Sequence, residues 1–235
     1  MRVEPIGVVE SCFKEKFGIP RQAGLAASAT ATIHLPLARF RDAVEGLDEF
    51  SHLWVIFAFH ANKGWKPRVR PPRLGGSRKI GVFASRSPHR PNPIGLSAVK
   101  LERIERSKTE ILIHVSGADL LDGTPVLDIK PYISYADSIP RARSGWVKEE
   151  KQHRLSVSFS PTVTSQLRST DPTGRRKLRP LIRELISQDP RPAFQREKSG
   201  PEAYAFRLCE FDVHWAVSAR NAKVLELREM RVDSN

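Results

Sequence analysis

Gly81-Val-Phe-Ala-Ser-Arg-Ser-Pro-His-Arg-Pro-Asn-Pro-Ile-Gly-Leu-Ser97 reads as the end of one strand, a stiff polar loop and the start of another strand. Ile80, Val82 and Phe83 give it a buried-strand beginning. Pro88, Pro91 and Pro93 then fix three φ angles and remove three backbone donors. Each proline also pushes the residue before it, Ser87, Arg90 and Asn92, toward extended backbone. The loop carries Arg86, His89, Arg90 and Asn92, and Gly95 follows where the chain can turn freely. Two guanidiniums, an imidazole and an amide on a stiff loop suit an anion or a polar ligand, because little side-chain freedom is lost on binding. The surroundings point the same way. No Asp or Glu lies between Glu49 and Glu102, an interval that holds Lys63, Lys66, Arg68, Arg70, Arg73, Arg78, Lys79, Arg86, Arg90 and Lys100. So one-sided a run is the footprint of an anion or a nucleic acid.

The whole chain follows that bias, with 39 Lys and Arg against 26 Asp and Glu and a formal net charge of +13. At 235 residues and 40% apolar composition it can bury a proper core as one large or two smaller domains. Its 18 prolines favour loops and strands over a helical bundle. Cys12 and Cys209 stand far apart and outside any CxxC or Cys/His pattern, which argues against a disulfide scaffold and a zinc site. There is no apolar h-region at the start and no apolar run near 18 residues, so a soluble, cytoplasmic protein without membrane contact is expected.

Outward from the central loop, alternation sets the strands. Thr30–Leu35, Leu96–Glu105 and Glu110–Ser116 alternate at period two, the last two forming a hairpin across Arg106–Thr109. Leu53–Phe59 is apolar throughout and reads as a fully buried strand, closed by His60. Pro5–Val9 reads as a short strand, and Phe40–Leu47 as one or two helical turns ended by Gly46. Asn62–Gly76 is a long basic loop in which Trp65 could stack on a base or anchor packing. The Asp122-Gly123 turn should gather Asp119, Asp122 and Asp128, three carboxylates able to hold a metal or to accept from a ribose or amine. Residues 136–152 look like a linker. Beyond it, Leu155–Phe159 opens a second segment. Leu178, Leu181, Ile182, Leu185 and Ile186 share one face of an amphipathic helix over Lys177–Ser187. Arg175, Arg176, Lys177 and Arg179 crowd its N-terminus against the macrodipole. Tyr204–Leu208, Phe211–Val217 and Val224–Leu227 finish as short strands. There is no GxGxxG, Walker A loop, HExxH or serine nucleophile elbow, so a nucleotide-like cofactor would sit on a β-rich scaffold.

Several of these stretches occur together in one known family. Ile19-Pro-Arg-Gln, Phe50-Ser-His-Leu-Trp-Val-Ile-Phe, Arg70-Pro-Pro-Arg-Leu-Gly-Gly, the Pro-rich loop, Asp122-Gly-Thr-Pro-Val-Leu-Asp-Ile-Lys-Pro-Tyr and Asp189-Pro-Arg-Pro-Ala-Phe resemble the TsaA-like family, in order and over nearly the full chain. The resemblance implies a mainly β protein. Residues 1–140 would form an S-adenosylmethionine-binding β-barrel without a Rossmann domain, and residues 150–235 a smaller α+β domain. It also implies a homodimer that methylates N6 of N6-threonylcarbamoyladenosine at position 37 of threonine tRNAs.

The family's cofactor contacts fall here on Arg21, Gln22, Ala23, His60, Ala61, Arg86, Leu96 and the turn Leu120, Leu121, Asp122, Gly123. Cys12 and Ala23 depart from the family's prolines, which loosens the first loop and makes the contact at Ala23 the least secure. The candidates for a proton acceptor are His60 and Asp128. Lys63, Trp65, Lys66, Arg68, Arg70, Arg73 and Arg90 would hold the anticodon loop. The reading from a different class is a basic RNA-binding module with no chemistry.

Overall fold

The alternation closes into a barrel. The computed structural model describes residues 2–74, 78–147, 154–191, 193–196 and 202–230. Its strands are β1 (Gly7–Ser11), β2 (Thr30–Pro36), β3 (His52–Ala58), β4 (Arg68–Val69), β5 (Ile80–Gly81), β6 (Ile94–Arg106), β7 (Glu110–Ser116), β8 (Pro125–Pro131), β9 (Ser156–Phe159), β10 (Glu202–Leu208), β11 (Phe211–Ser218) and β12 (Asn221–Glu229). Six of them form a closed antiparallel barrel in the order β1-β2-β7-β6-β3-β8. Every second side chain points inward, and Ile33, Leu53, Val55, Ile111, Ile113, Leu120 and Val126 are wholly buried. The β6–β7 hairpin turns as expected, with the Ser107 hydroxyl accepting from the Glu110 N–H at 2.9 Å.

Four local readings need correction. The apolar run of β3 is not buried on both faces. Leu53, Val55 and Phe57 enter the core, while Trp54, Ile56 and Ala58 face outward, because a barrel strand has one inner face. Trp54 is covered from outside by Tyr132, ring centroids 5.5 Å apart. The strand expected at Ile80–Phe83 pairs for two residues only. It gives way to a single 3-10 turn at Val82–Ala84, which leaves Phe83 77% exposed. Gly95 is not a free turn. It lies within β6 opposite Phe57, and a Cβ there would sit 2.2 Å from the Phe57 ring, so the close approach of that ring demands the glycine. The short helix starts earlier than read, at Leu37–Phe40, and two 3-10 turns take the rest.

The second half of the chain is α+β. Its sheet runs β10-β11-β12-β9, with β9 parallel to β12 and the other pairs antiparallel. The helix Leu178–Ser187 buries the five apolar residues of its expected stripe against Phe206, Val213 and Trp215. Asp171 supplies what its basic N-terminus lacks, accepting from the N–H groups of Arg176 and Leu178. A second helix, Pro161–Thr170, was not legible as a stripe because only Val163 and Leu167 are buried. Its signal is local: Ser160 caps it by accepting from the Val163 N–H at 3.1 Å, and Pro161 takes the first turn.

The two halves are joined more closely than a linker implies. Phe13, Ala26 and Ala29, from the segment between β1 and β2, belong to the core of the second half. Cys12 and Cys209, read as unrelated, form a disulfide across 197 residues. Sequence distance hid the pairing, since the β10–β11 turn folds back onto the end of β1. The backbone agrees, with the Cys209 N–H donating to the Cys12 carbonyl at 2.7 Å. Within the stretch read as a linker, the Trp146 indole donates to the Ala84 carbonyl at 2.7 Å. Residues 148–152 of that stretch lie outside the described residues, as do Gly75 and Gly76 of the basic loop, Pro192 of the Asp189–Phe194 motif and the Arg73 side chain.

Candidate active site

A cleft of about 520 Å³ opens beside β3 and β6. It is walled by the loop after β1 (Lys16, Ile19, Pro20, Arg21, Gln22), the end of β3 (Phe59 to Asn62) and the Pro-rich loop (Ser85, Arg86, Pro88, Arg90). Gly95, Leu96, Ser97, Asp119, Leu121 and Thr124 line it from the barrel. The volume suits a ligand of cofactor size.

Each wall has its own support. The Pro-rich loop is stiffened by its prolines and by Arg90, whose guanidinium donates to the carbonyls of Ser85 (2.8 Å) and Val82 (3.3 Å). The Ser85 and Ser87 hydroxyls accept from the N–H groups of Ser87 and His89. The first loop leans on the second half of the chain. Glu15 accepts from the Arg207 N–H at 2.9 Å, and Phe17 meets Phe206 edge to face at 6.5 Å. Lys16 crosses the cleft mouth to the Ala61 carbonyl (2.6 Å) and Asn62 (2.8 Å). Arg86 donates to the Gln22 side chain, which itself donates to the Arg21 carbonyl.

Charge in the cleft is lopsided. Lys16, Arg21, Arg86 and Arg90 face a single acid among the lining residues, Asp119. Burial pushes the Asp119 carboxyl above the ordinary carboxylate range, against hydrogen bonds from Ser97 Oγ (2.6 Å), its own N–H and the Ala23 N–H, and against the charge of Arg86.

The structure brings together Arg21, Gln22, His60, Ala61, Arg86, Leu96 and Leu121 of the expected cofactor contacts. Ala23 lies outside the lining. Leu120 faces the barrel core and accepts from Ser11 Oγ. Asp122 turns toward the first loop, accepting from the Ser11 N–H and Lys14 (2.7 Å), and Gly123 is held by the Val9 carbonyl. The three aspartates expected together are therefore dispersed, and no cluster among the described residues could hold a metal. Of the two candidate proton acceptors, His60 lines the cleft. Asp128 lies on β8 outside the lining, bound to Lys130 at 2.9 Å.

The basic loop borders the cleft. The Lys66 N–H donates to the His89 carbonyl and the Val82 N–H to the Pro67 carbonyl, so its exposed Lys63, Trp65, Lys66, Arg68 and Arg70 sit against the Pro-rich loop. Arg90 is half-buried and engaged with that loop's own carbonyls rather than displayed beside them.

Residues 8–138 match the family model of the tRNA-methyltransferase O N-terminal domain, and residues 152–230 match that of the TrmO C-terminal domain. This chain belongs to the TrmO family. It is 44% identical over 228 residues, 95% of the chain and 96% of the relative, to the tRNA (adenine(37)-N6)-methyltransferase of Escherichia coli K12. It is 47% identical over 216 residues, 91% of each chain, to the putative S-adenosylmethionine-dependent methyltransferase RcsF of Pseudomonas aeruginosa. A crystal structure of TrmO from Pseudomonas aeruginosa superposes with a TM-score of 0.78 at 38% identity, covering 97% of this chain and 98% of the other.

The TrmO match takes in the whole cleft. Sequence reasoning missed Lys16, Trp54, Phe59 and Ser97 in its lining. Ser97 had left a trace. The inward positions of β6 run Gly95, Ser97, Val99, Leu101, and a hydroxyl among apolar inward residues marks the place where a barrel wall becomes a site.

Proposed function

We propose that this TrmO chain, an S-adenosylmethionine-dependent tRNA (adenine-N6)-methyltransferase, acts on N6-threonylcarbamoyladenosine at position 37 of threonine tRNAs. It would work as a homodimer, in the cytoplasm where its tRNA is found. The observation that carries this reading is the near full-length likeness to a curated tRNA (adenine(37)-N6)-methyltransferase, with the cleft inside the matched region.

The cleft's residues fit the cofactor on their own chemistry. Arg21 and Arg86 are guanidiniums able to fork onto the methionine carboxylate. Trp54, Phe59, Ile94 and Leu96 offer apolar surface to a purine. Asp119 offers a buried negative charge to a cationic ligand. Bound there, the cofactor supplies an electrophilic methyl group. The chain supplies positioning, which is much of the catalysis in an in-line transfer. His60, at the cleft edge, takes the proton from the acceptor nitrogen, which carbamoylation has made more acidic than adenine's own amine. The exposed cations of the basic loop hold anticodon-loop phosphates, and Trp65, 53% exposed, stacks on a loop base.

The test is calorimetric titration with S-adenosylmethionine, without RNA or added metal, followed by incubation with threonine tRNA. Saturable binding near one per chain is expected. One methyl should appear on tRNA bearing threonylcarbamoyladenosine and none on the same tRNA with plain adenosine. Methylation of both tRNAs would overturn the substrate. Absence of cofactor binding with and without tRNA would leave the RNA-binding module. Lys66→Ala with Arg68→Ala should weaken tRNA binding and lower its salt slope, with cofactor affinity retained.

A further inference from the structure

Asp119 is the one acidic side chain among the lining residues of a cleft that also presents Lys16, Arg21, Arg86, Arg90 and the imidazole of His60. It is largely sunk in the floor beside Phe57, Gly95 and Leu121, where an unneutralised charge is costly and its field is poorly screened. The chain commits a buried hydroxyl to holding it there. Ser97 donates to the carboxylate from Oγ at 2.6 Å. What Asp119 offers the cleft is a buried negative charge, which favours a cationic centre on the ligand. A trialkylsulfonium is such a centre.

We propose that Asp119 supplies the counter-charge for the sulfonium of S-adenosylmethionine, and so separates the cofactor from its demethylated, uncharged product S-adenosylhomocysteine. The proposal rests on the reading of the cleft as the cofactor site. Asp119 is a positioning residue for the charged centre, and its role is specificity. It favours the loaded cofactor before transfer and gives up that preference once the positive charge has gone. The guanidiniums meet the ends of the molecule that cofactor and product share, and so cannot make this distinction.

The experiment is calorimetric titration of wild type and Asp119→Asn with three probes: S-adenosylmethionine, S-adenosylhomocysteine, and sinefungin, whose amine keeps a positive charge near the sulfur position. Asparagine keeps the shape and an acceptor for Ser97. In the variant, affinity for S-adenosylmethionine and sinefungin should fall about tenfold, with S-adenosylhomocysteine changed by less than about twofold, a difference near 1.4 kcal/mol. Ser97→Ala, which keeps the charge and removes one donor, should retain the wild-type ratio of the two affinities. Equal losses for all three probes, unchanged affinities, or a ratio that collapses in Ser97→Ala would each overturn the proposal. Wild-type protein that binds none of the three would overturn the cofactor site itself.

Discussion

The two loops that wall the cleft are held in opposite ways. The Pro-rich loop is self-supporting: three prolines, two serine hydroxyls and the Arg90 guanidinium bind it to itself. The first loop has one proline, Pro20, and is fixed from outside by residues almost two hundred positions away, through Phe206, Arg207 and Cys209. A site can thus be preorganised by local chemistry or by a second domain used as a brace, and this cleft uses one on each side. The brace gives the C-terminal half a role in a site it does not line.

The largest effect should come from attacking the braced wall at Gly18. Its φ is +90°, and a Cβ there would meet the buried Phe206 ring at 2.9 Å. Gly18→Ala should cost roughly 2–4 kcal/mol, from backbone strain and overpacking together. It should also weaken cofactor binding by moving Arg21 and Gln22. Gly64, at φ +68° with nothing within 4 Å, is the matched control. Gly64→Ala should show only the backbone part, about 1–2 kcal/mol. Thermal melts and cofactor titrations on both variants decide it. Similar losses in the two would mean that the Phe206 contact is not a brace.

The self-supporting wall should answer differently. Arg90→Ala removes charged hydrogen bonds to two carbonyls, worth about 1.5–3 kcal/mol where fully buried and less in this half-buried setting. The prolines remain, so the loop loosens without unfolding. Cofactor affinity should fall about tenfold, with a melting shift smaller than that of Gly18→Ala. Both bonds leave one nitrogen, Nη1, and an ammonium also has several donors, so Arg90→Lys should restore part of the affinity. A stability loss as large as that of Gly18→Ala would erase the contrast between the loops.

This contrast also explains what could be read beforehand. Stiffness at Pro88, Pro91 and Pro93 is written in the residues themselves, and so is the alternation that places Ile111 and Ile113 inside the barrel. The stripe Leu178 to Ile186 was legible for the same reason, since one turn of helix repeats it. The brace was not. Phe13, Ala26 and Ala29 are isolated apolar residues in a polar segment, and their core is made by strands near the other end of the chain. Cys12 and Cys209 carry no local pattern that pairs them. Gly95 was legible as a glycine, but its reason, the Phe57 ring, lies on the neighbouring strand. Asp119 was noticed for its sequence neighbours Asp122 and Asp128, while its actual side-chain partner, Ser97, is on β6. Local stiffness and periodicity show in sequence, and contacts between distant segments do not.

Asp119 reports on the barrel side of the cleft, through a smaller effect. Desolvation raises its folded pKa above the unfolded carboxylate value of about 3.9. A raised value means that the folded protein favours the protonated form. The stability this group contributes is therefore fully present below the unfolded pKa and is lost as pH rises through the folded one. Asp119→Asn removes that dependence. Melting curves of the free protein should show the variant gaining on wild type as pH increases from about 4 to 7. A variant that loses ground over that range would mean that Ser97 and Ala23 outweigh the burial.

The smallest effect should follow from the contact that looks strongest. A disulfide closing a loop as long as Cys12–Cys209 would be worth several kcal/mol if the sulfurs alone held the ends together, about 4.7 for a 100-residue loop by chain entropy. Here the ends are held by other means. The Cys209 N–H bonds the Cys12 carbonyl at 2.7 Å, Glu15 bonds the Arg207 N–H at 2.9 Å, and Phe13 lies in the shared core. These contacts survive reduction, and in the cytoplasmic location proposed above the thiols would be reduced. Cofactor affinity in oxidised and fully reduced protein should agree within about twofold, a difference under 0.5 kcal/mol, and the melting point should drop modestly. If reduction abolished binding, the brace would be the sulfur bond itself. The first loop would then be held by redox state rather than by packing, and the cleft would open and close with the oxidation of one pair of cysteines.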